Sequence, residues 1–595
     1  MENRDVAKIL RETAQLLEID GAIIGRYRSY EKVAELLEGL PERIEELATD
    51  DKKLKALPGV GDGMAEHIRE VLKTGDYGLR KKLLKKYPPA ILDLLELQSL
   101  GPKKVAFLWS HFKVATVEGV QKLAKEGKLR DLPGFGEKSE QNILKAAEQF
   151  KHLSGSGRVR LNVADEEAQK LVGYMAKAGE AVESVTPAGS LRRGRETIGD
   201  LDLLVTMRPG RDKQKDIDAV AGHILKYPGI GQKLAHGENK VSFLLGSGIQ
   251  VDVRLLEKKS FGAALLYFTG SKAHNVALRG RANEMGWTLN EYALTTLKGG
   301  KVVASRTEEE IYAKLKLPYI EPELREMTGE IEAAEQGKLP KLVTLADIRG
   351  DLQMHTTASD GKNSIAEMGE AARALGYEYI ALTDHSQAVT VANGLDEKRT
   401  LEQIRKIHSA RVPGIRLLAG SEVDIKKDGS LDLEDDVLAE LDVVVASVHS
   451  YMNMERAEMT ERLLAAVENP YTQIIAHPTG RLVLRREPFE YDMERVLDAC
   501  AERGIAMECN AFPERLDLRD VHLRMAKQRG VKIVISTDSH STMHLPFMKY
   551  GVETARRGWI EKKDVVNTLP LEEFLAALRP KPHAAKARAA KRKSA

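Results

Sequence analysis

A chain of 595 residues is too long for one compact domain and leaves room for about three or four. With 42% hydrophobic and 30% charged residues it can build ordinary cores, which excludes wholesale disorder. Its 91 Lys and Arg nearly cancel 89 Asp and Glu, so the net charge of +2 does not by itself announce a nucleic-acid partner. Two cysteines, Cys500 and Cys509, are too few for a disulfide framework and lack the spacing of a thiolate metal site. The opening MENRDVAKIL is charged where a secretory signal is apolar, and no apolar run reaches membrane-span length; the expectation is a cytoplasmic protein with no membrane partner.

Residues 1–150 predict helices almost throughout, with apolar positions at helical spacing from Val6 to Ile19 and from Tyr30 to Leu40. A turn, LPGVGDGMAEHI (Leu57 to Ile68), recurs as LPGFGEKSEQNI (Leu132 to Ile143), with a weaker copy at LQSLGPKKV (Leu97 to Val105). Gly-x-Gly between short helices turns the backbone tightly and presents N–H groups that can hold a phosphate without reading a base. A helical hairpin needing glycine only for its backbone angles is the plain alternative, but repetition favours DNA, through Gly59, Gly61, Gly63, Gly101, Gly134 and Gly136. These segments resemble tandem helix-hairpin-helix motifs. SGSG (Ser154 to Gly157) has a flexible linker's composition, and after it β-branched strands alternate with helices, which places a boundary near residue 155.

Within AGSLRRGRETIGDLDLLV (Ala188 to Val205), Asp200 and Asp202 stand two apart on a predicted strand, so both carboxylates leave the same face. Asp252, in IQVDVRLL, alternates with Ile249, Val251 and Val253 and supplies a third. Three carboxylates on adjacent strands suit a pair of Mg²⁺ ions and phosphoryl transfer. Gly189 and Ser190 open a capping turn suited to terminal phosphates, with Arg193 as a charged contact. These residues predict a nucleotidyltransferase palm; small-molecule modification and RNA tailing remain open at this point.

YFTGSKAHNVALRGRANEMGWTLNEYAL (Tyr267 to Leu294), taken with GSLRRG and the aspartates, resembles the family X DNA polymerases over roughly residues 1–325. The resemblance implies that Tyr267 and Phe268 lie beside the incoming sugar, Gly270 beside the nucleotide, Asn275 in the minor groove and Arg279 on the template strand. Lys272 departs from the pattern, since vertebrate members carry an acid there. The family's Schiff-base lysine falls at His67, with Gly63 at a neighbouring lysine position; imidazole cannot form that imine, leaving Lys53 and Lys73 as substitutes. Arg26 and Tyr30 match the family's 5′-phosphate region.

From residue 351, metal-capable side chains close successive apolar strand runs: His355, Asp360, His385, Glu422, His449, His477, Asp538 and His540. Strand C-termini of a barrel converge on one mouth, and mixed His, Asp and Glu donors favour Zn²⁺, Mn²⁺ or Fe²⁺, up to three ions. These motifs resemble the PHP (polymerase and histidinol phosphatase) domain, a distorted (β/α)₇ barrel that hydrolyses phosphoesters. Its first motif reads His-x-His, whereas Gln353 precedes His355 here, so one ligand position holds a neutral amide.

Together the two resemblances identify a bacterial family X DNA polymerase with a C-terminal PHP domain. The expected architecture is an all-α helix-hairpin-helix region (1–90 and 91–155), an α/β palm (156–260), a thumb-like nucleotide-selecting subdomain (261–325), a linker (326–345), the barrel (346–578) and a basic tail of disordered composition (579–595). The expected work is gap filling in DNA repair on gapped or primed DNA with dNTPs and Mg²⁺ or Mn²⁺, by a monomer at the bacterial nucleoid. The barrel adds a 3′–5′ exonuclease, with abasic-site endonuclease and 3′-phosphatase as further options. The rivals are a purely structural barrel and a DNA-end-binding scaffold.

Overall fold

The computed structural model describes residues 3–580 apart from 39–43, 98–99, 131, 133, 138, 142, 145–146, 148–157, 209–212, 238 and 579. The expected SGSG linker and the basic tail from residue 581 lie outside the described residues. The chain divides into two compact units, Met1–Ser156 and Gly157–Ala595. Among the described residues, no helix is long and apolar enough to cross a membrane.

The first unit is helical. In α1 (Asn3–Ile19), Val6, Leu10, Ala14 and Leu17 recur at helical spacing and are buried against Val33, Ala34 and Leu37 of α2 (Ile24–Glu38). Met64, Ala65, Ile68 and Val71 of α3 (Asp62–Thr74) complete that core, and α4 (Gly78–Lys86), α5 (Pro102–Phe112) and α6 (Val117–Lys125) follow. Gly61 and Gly101 cap α3 and α5, and Gly59, Gly134 and Gly136 take left-handed φ of 82°, 82° and 75°, as the repeated turns require.

The second unit opens with α7 (Leu161–Met175) packed on a five-stranded sheet. Its strands are β1 (Val182–Pro187), β2 (Asp200–Met207), β3 (Ile230–Gly237), β4 (Lys240–Leu245) and β5 (Gln250–Glu257), in the order β1-β2-β5-β4-β3. Alternation sorts the faces: Leu201, Leu203, Val205, Val251 and Val253 join the core under α7, while Leu204 and Leu256 meet Ala264 and Leu265 of α8 (Phe261–Thr269). Helix α9 (Lys272–Glu284) and strands β6 (Trp287–Leu289), β7 (Leu294–Thr296) and β8 (Val302–Ala304) form the thumb-like part around Leu278, Leu294, Ile311 and Tyr312. Residues 326–345, read as a linker from their polarity, are packed: Glu330 and Val343 are fully buried.

Seven parallel strands then run in sequential order: β9 (Gly350–Asp351), β10 (Tyr379–Leu382), β11 (Arg416–Asp424), β12 (Val443–Ser447), β13 (Ile474–Ile475), β14 (Ala506–Asn510) and β15 (Ile533–Ser536). A parallel bridge from Met354 to Ser539 brings the last strand back to the first, giving a nearly closed, distorted (β/α)₇ barrel. Outward residues Ile380, Leu382, Val444 and Ala446 pack under the helices. Inward residues Tyr379, Ala381, Val443 and Val445 fill the lower barrel, where Phe574 stacks on Tyr379 at 4.9 Å between ring centroids. Carrying the alternation upward from Leu418 reaches Glu422, and from Val445 reaches His449, so the strand period itself delivers polar side chains to the mouth.

Candidate active sites

Asp200 begins β2, and in the parallel register of β2 with β5 Asp202 lies directly opposite Asp252. Burial, followed by the neighbouring charges of Asp200 and Asp252, pushes Asp202 up to about 7. Burial works against ionisation of Asp252 as well, but hydrogen bonds from Lys240 (2.9 Å), Ser242 and Gln250 (3.0 Å) hold it below the usual range. Three crowded carboxylates, one of them reluctant to ionise, are a donor set that a divalent cation satisfies. Gly189 closes over them: with φ of 62°, a Cβ there would stand 2.4 Å from Asp202 Oδ2.

Ser190 lies on the short helix Gly189–Arg192. Arg192 binds Glu308 at 2.7 Å, and Glu308 also binds the buried Arg325 at 2.6 Å. Arg193, expected to face phosphates, is anchored instead of free: its Nε meets Glu326 at 2.9 Å and Nη1 donates to the Thr269 carbonyl. Gly270 follows that carbonyl with φ of 71°. Tyr267 is exposed, Phe268 lies under the Arg254 guanidinium at 5.0 Å, and Asn275 donates to the Tyr267 carbonyl at 2.7 Å. Arg279 is exposed one turn further along α9. A cavity of about 1600 Å³ opens on the same face and is lined by Arg254, Phe268 and Tyr292, not by the aspartates.

At the barrel mouth Glu422 is fully buried at the centre of the histidines. It lies 3.3 Å from His355 and from His385, 3.4 Å from His449 and 2.7 Å from His477. His355 also meets Asp538 at 3.2 Å, and Asp360 meets His540 at 3.4 Å. Donor atoms fall into three groups within 4.8 Å: His355, Asp360, His385 and His540; His385, Glu422 and His449; His355, Glu422 and Asp538. His477 joins none of the three and is instead hydrogen-bonded to Glu422.

The fit to cations rests on orphaned atoms. His355 Nδ1, His385 Nδ1, Glu422 Oε2, His449 Nε2 and His477 Nδ1 are buried with no hydrogen-bond partner, a costly arrangement unless a cation binds there. Burial pushes His385 down to about 3, which keeps its imidazole neutral and able to coordinate. His477 and Asp538 hold φ of 27° and 53°, conformations that cost non-glycine residues about 1–3 kcal/mol each and that gather at functional sites.

In the first unit Tyr30, expected beside a 5′-phosphate, is buried. Its hydroxyl lies 3.1 Å from His67 Nδ1 and its ring stacks on Tyr77, because it sits on the inward face of α2. Arg26, Gly63, Lys53 and Lys73 are exposed. Sequence reasoning missed Arg515, whose Nε lies 3.0 Å from Asp538, and the buried Glu508 and Asn510, the latter donating to Asp538 at 3.1 Å. An acid and an amide at alternate positions of the apolar strand AMECN were the available signal.

Family models match the chain in four places: a helix-hairpin-helix domain over residues 1–77, a SAM-like helix-hairpin-helix tandem over 91–149, a DNA polymerase beta thumb over 264–326 and a PHP domain over 351–511. The chain is 37% identical over 588 residues to the DNA polymerase/3′-5′ exonuclease PolX of Bacillus subtilis (strain 168), covering 97% of this chain and 100% of that protein. A probable phosphatase of Acetivibrio thermocellus is 33% identical over 32% of this chain and 78% of its own length. DNA polymerase lambda of Rattus norvegicus is 26% identical over 46% of this chain and 48% of its own.

Proposed function

The chain belongs to the bacterial family X DNA polymerases that carry a PHP domain, and on that footing we propose which of its residues serve each reaction. It is a DNA polymerase and 3′–5′ exonuclease of the gap-filling kind, dependent on metal ions and acting on DNA with dNTPs. Asp200, Asp202 and Asp252 hold the ions of the polymerase, Mg²⁺ or Mn²⁺. His355, Asp360, His385, Glu422, His449, His477, Asp538 and His540 hold those of the nuclease, Mn²⁺, Zn²⁺ or Fe²⁺. When bound, such ions supply Lewis-acid stabilisation of phosphoryl oxygens and lower the pKa of an attacking hydroxyl or water.

The chain's own groups orient the reactants. Asp252, kept ionised by Lys240, Ser242 and Gln250, accepts the primer 3′-hydroxyl proton. Gly189 lets the phosphate turn approach Asp202, and Ser190 and Arg193 receive the departing pyrophosphate. Tyr267, Phe268 and Gly270 border the sugar, Asn275 the minor groove and Arg279 the template. Arg26 and the turns at Gly59, Gly61, Gly63, Gly101, Gly134 and Gly136 hold DNA phosphates. In the barrel, Arg515 beside Asp538 offers a cation to the scissile phosphate of a 3′-terminal nucleotide. His67 offers no primary amine, so no lyase step is proposed. The enzyme works as a monomer.

The Asp202–Asp252 register pair carries the polymerase assignment, and the Glu422-centred cluster carries the nuclease assignment. Primer extension and 3′ degradation on a gapped duplex, with Mg²⁺ and then Mn²⁺, test both. Asp200→Ala with Asp202→Ala abolishes incorporation and leaves degradation intact, and His355→Ala or Asp538→Ala does the reverse. Loss of both activities in either protein rejects two separate sites. Full degradation by the barrel variants restores the structural-barrel reading.

A further inference from the structure

The turn that carries Arg193 is seated on the barrel's helix α10 (Met548–Arg557). Gly194, with φ of 61°, lies so close that a Cβ would stand 3.2 Å from Glu553 Cβ and 3.8 Å from Arg557 Cδ. The Arg557 side chain is only 5% exposed. It donates Nη1 to the Arg193 carbonyl at 2.9 Å and to Glu326 Oε1 at 3.0 Å, while Nε and Nη2 meet Asp520 Oδ2 at 3.1 and 2.7 Å. The same Glu326 oxygen accepts from Arg193 Nε at 2.9 Å. Arg557 therefore grips Arg193 twice, at its backbone and, through Glu326, at its guanidinium.

The third hold on Arg193 is the Thr269 carbonyl beside Gly270, where a Cβ would stand 3.1 Å from Arg193 Nη1. A long, rotamer-rich side chain is thus fixed by a barrel helix, the segment after the thumb-like part and the end of α8. Burial alone would favour neutral Glu326, yet the guanidinium groups of Arg193 and Arg557 hold it below the usual carboxylate range, so the link stays ionic. Arg195 lies 3.8 Å from the same carboxylate, so three cations (Arg193, Arg195 and Arg557) face two anions (Glu326 and Asp520), and the excess charge is positive beside the turn assigned to phosphates.

We propose that Arg557, although it belongs to the nuclease barrel, is a positioning residue of the polymerase: through Glu326 and the Arg193 backbone it presents the Arg193 guanidinium to the triphosphate of the incoming nucleotide. This rests on the reading of Arg193 as a triphosphate contact. The neighbouring Arg556 provides an internal control. It joins the same two parts of the molecule, through Glu323 at 2.6 Å and the Val343 carbonyl at 3.1 Å, and does not bond Arg193 or Glu326.

The test uses full-length proteins and dNTP titrations on a gapped duplex, with 3′ degradation of the primer measured in parallel. Arg193→Ala and Arg557→Ala are expected to raise the dNTP KM by about tenfold or more with a smaller change in kcat. Arg557→Lys falls between, because an ammonium cannot reproduce the fork, and Arg556→Ala keeps the wild-type KM. The Arg193→Ala, Arg557→Ala double variant is no worse than Arg193→Ala alone. Degradation is unchanged in Arg557→Ala. An unchanged KM in Arg193→Ala removes the underlying reading and the proposal with it. A raised KM in Arg193→Ala beside a normal one in Arg557→Ala removes the proposal only. An equal rise in Arg556→Ala reduces Arg557 to general docking and also overturns it. Should Arg557→Ala fail to fold, Arg557→Lys and Glu326→Gln decide the matter, and a wild-type KM in both rejects positioning.

Discussion

Gln353 shows how one side chain can set the affinity of a metal cluster. It is 1% exposed, stands two residues before His355, and neither its Oε1 nor its Nε2 has a hydrogen-bond partner. An amide buried in that condition loses its water without recompense, unless Oε1 coordinates an ion, and an amide oxygen is a weaker donor to Mn²⁺ or Zn²⁺ than imidazole. Gln353→His is therefore expected to retain more metal after dialysis against a chelator, read by elemental analysis, and to lose less nuclease activity under chelation. Equal retention in the two proteins would reject a coordinating role at this position. Most of the metal-capable set was legible because each member closes an apolar strand run in the chain. Glu508 escaped notice since one acid in AMECN gains meaning only once the strand's inward face is known. The burial of Tyr30 was equally hidden, because it follows from which face of α2 meets Tyr77 and His67.

Among the elements, α10 carries a charge its surroundings do not welcome. Burial, with the carboxylates of Asp165 and Glu323 adding to it, raises Glu553 to about 8, and Lys549 and Arg556 only partly offset this. The folded protein keeps a proton there that the unfolded chain releases above the ordinary carboxyl range. Stability consequently falls as pH rises from about 4.5 to about 8, by up to about 1.4 kcal/mol per pH unit from this group. Glu553→Gln removes the contribution, so thermal unfolding followed between about pH 6 and pH 8 should decline less steeply in the variant; parallel declines would reject it. The hairpin turns and the β2 aspartates could be read from sequence since they depend on neighbours a few residues apart. The ion pairs Arg193–Glu326 and Arg557–Glu326 could not, for they join residues 133 and 231 positions apart, a distance over which charge pattern carries no pairing information.

At the scale of the whole molecule, the sequence displayed three grammars in order: helices with glycine turns, a short mixed sheet, and strands alternating with helices. What it concealed was the joining of the last two. Arg481 binds Glu196 at 2.8 Å and reaches the carbonyls of Arg515 and Leu516, and Lys549 and Tyr550 bind Asp165, so the sheet and the barrel share one compact unit. The plug at the barrel's lower end has a kinetic consequence. With Phe574 stacked on Tyr379 and Leu578 beside it, the described residues stopper the barrel below, and the metal-capable side chains gather at the opposite end, the mouth. Each nucleoside monophosphate cut from a strand must leave by the doorway through which that strand entered. Egress and re-entry then compete, so trimming should proceed by short visits, and added deoxynucleoside monophosphate should inhibit it in competition with the DNA end. Long uninterrupted runs of trimming, measured with excess unlabelled DNA as a trap, would show that the spent nucleotide has another way out.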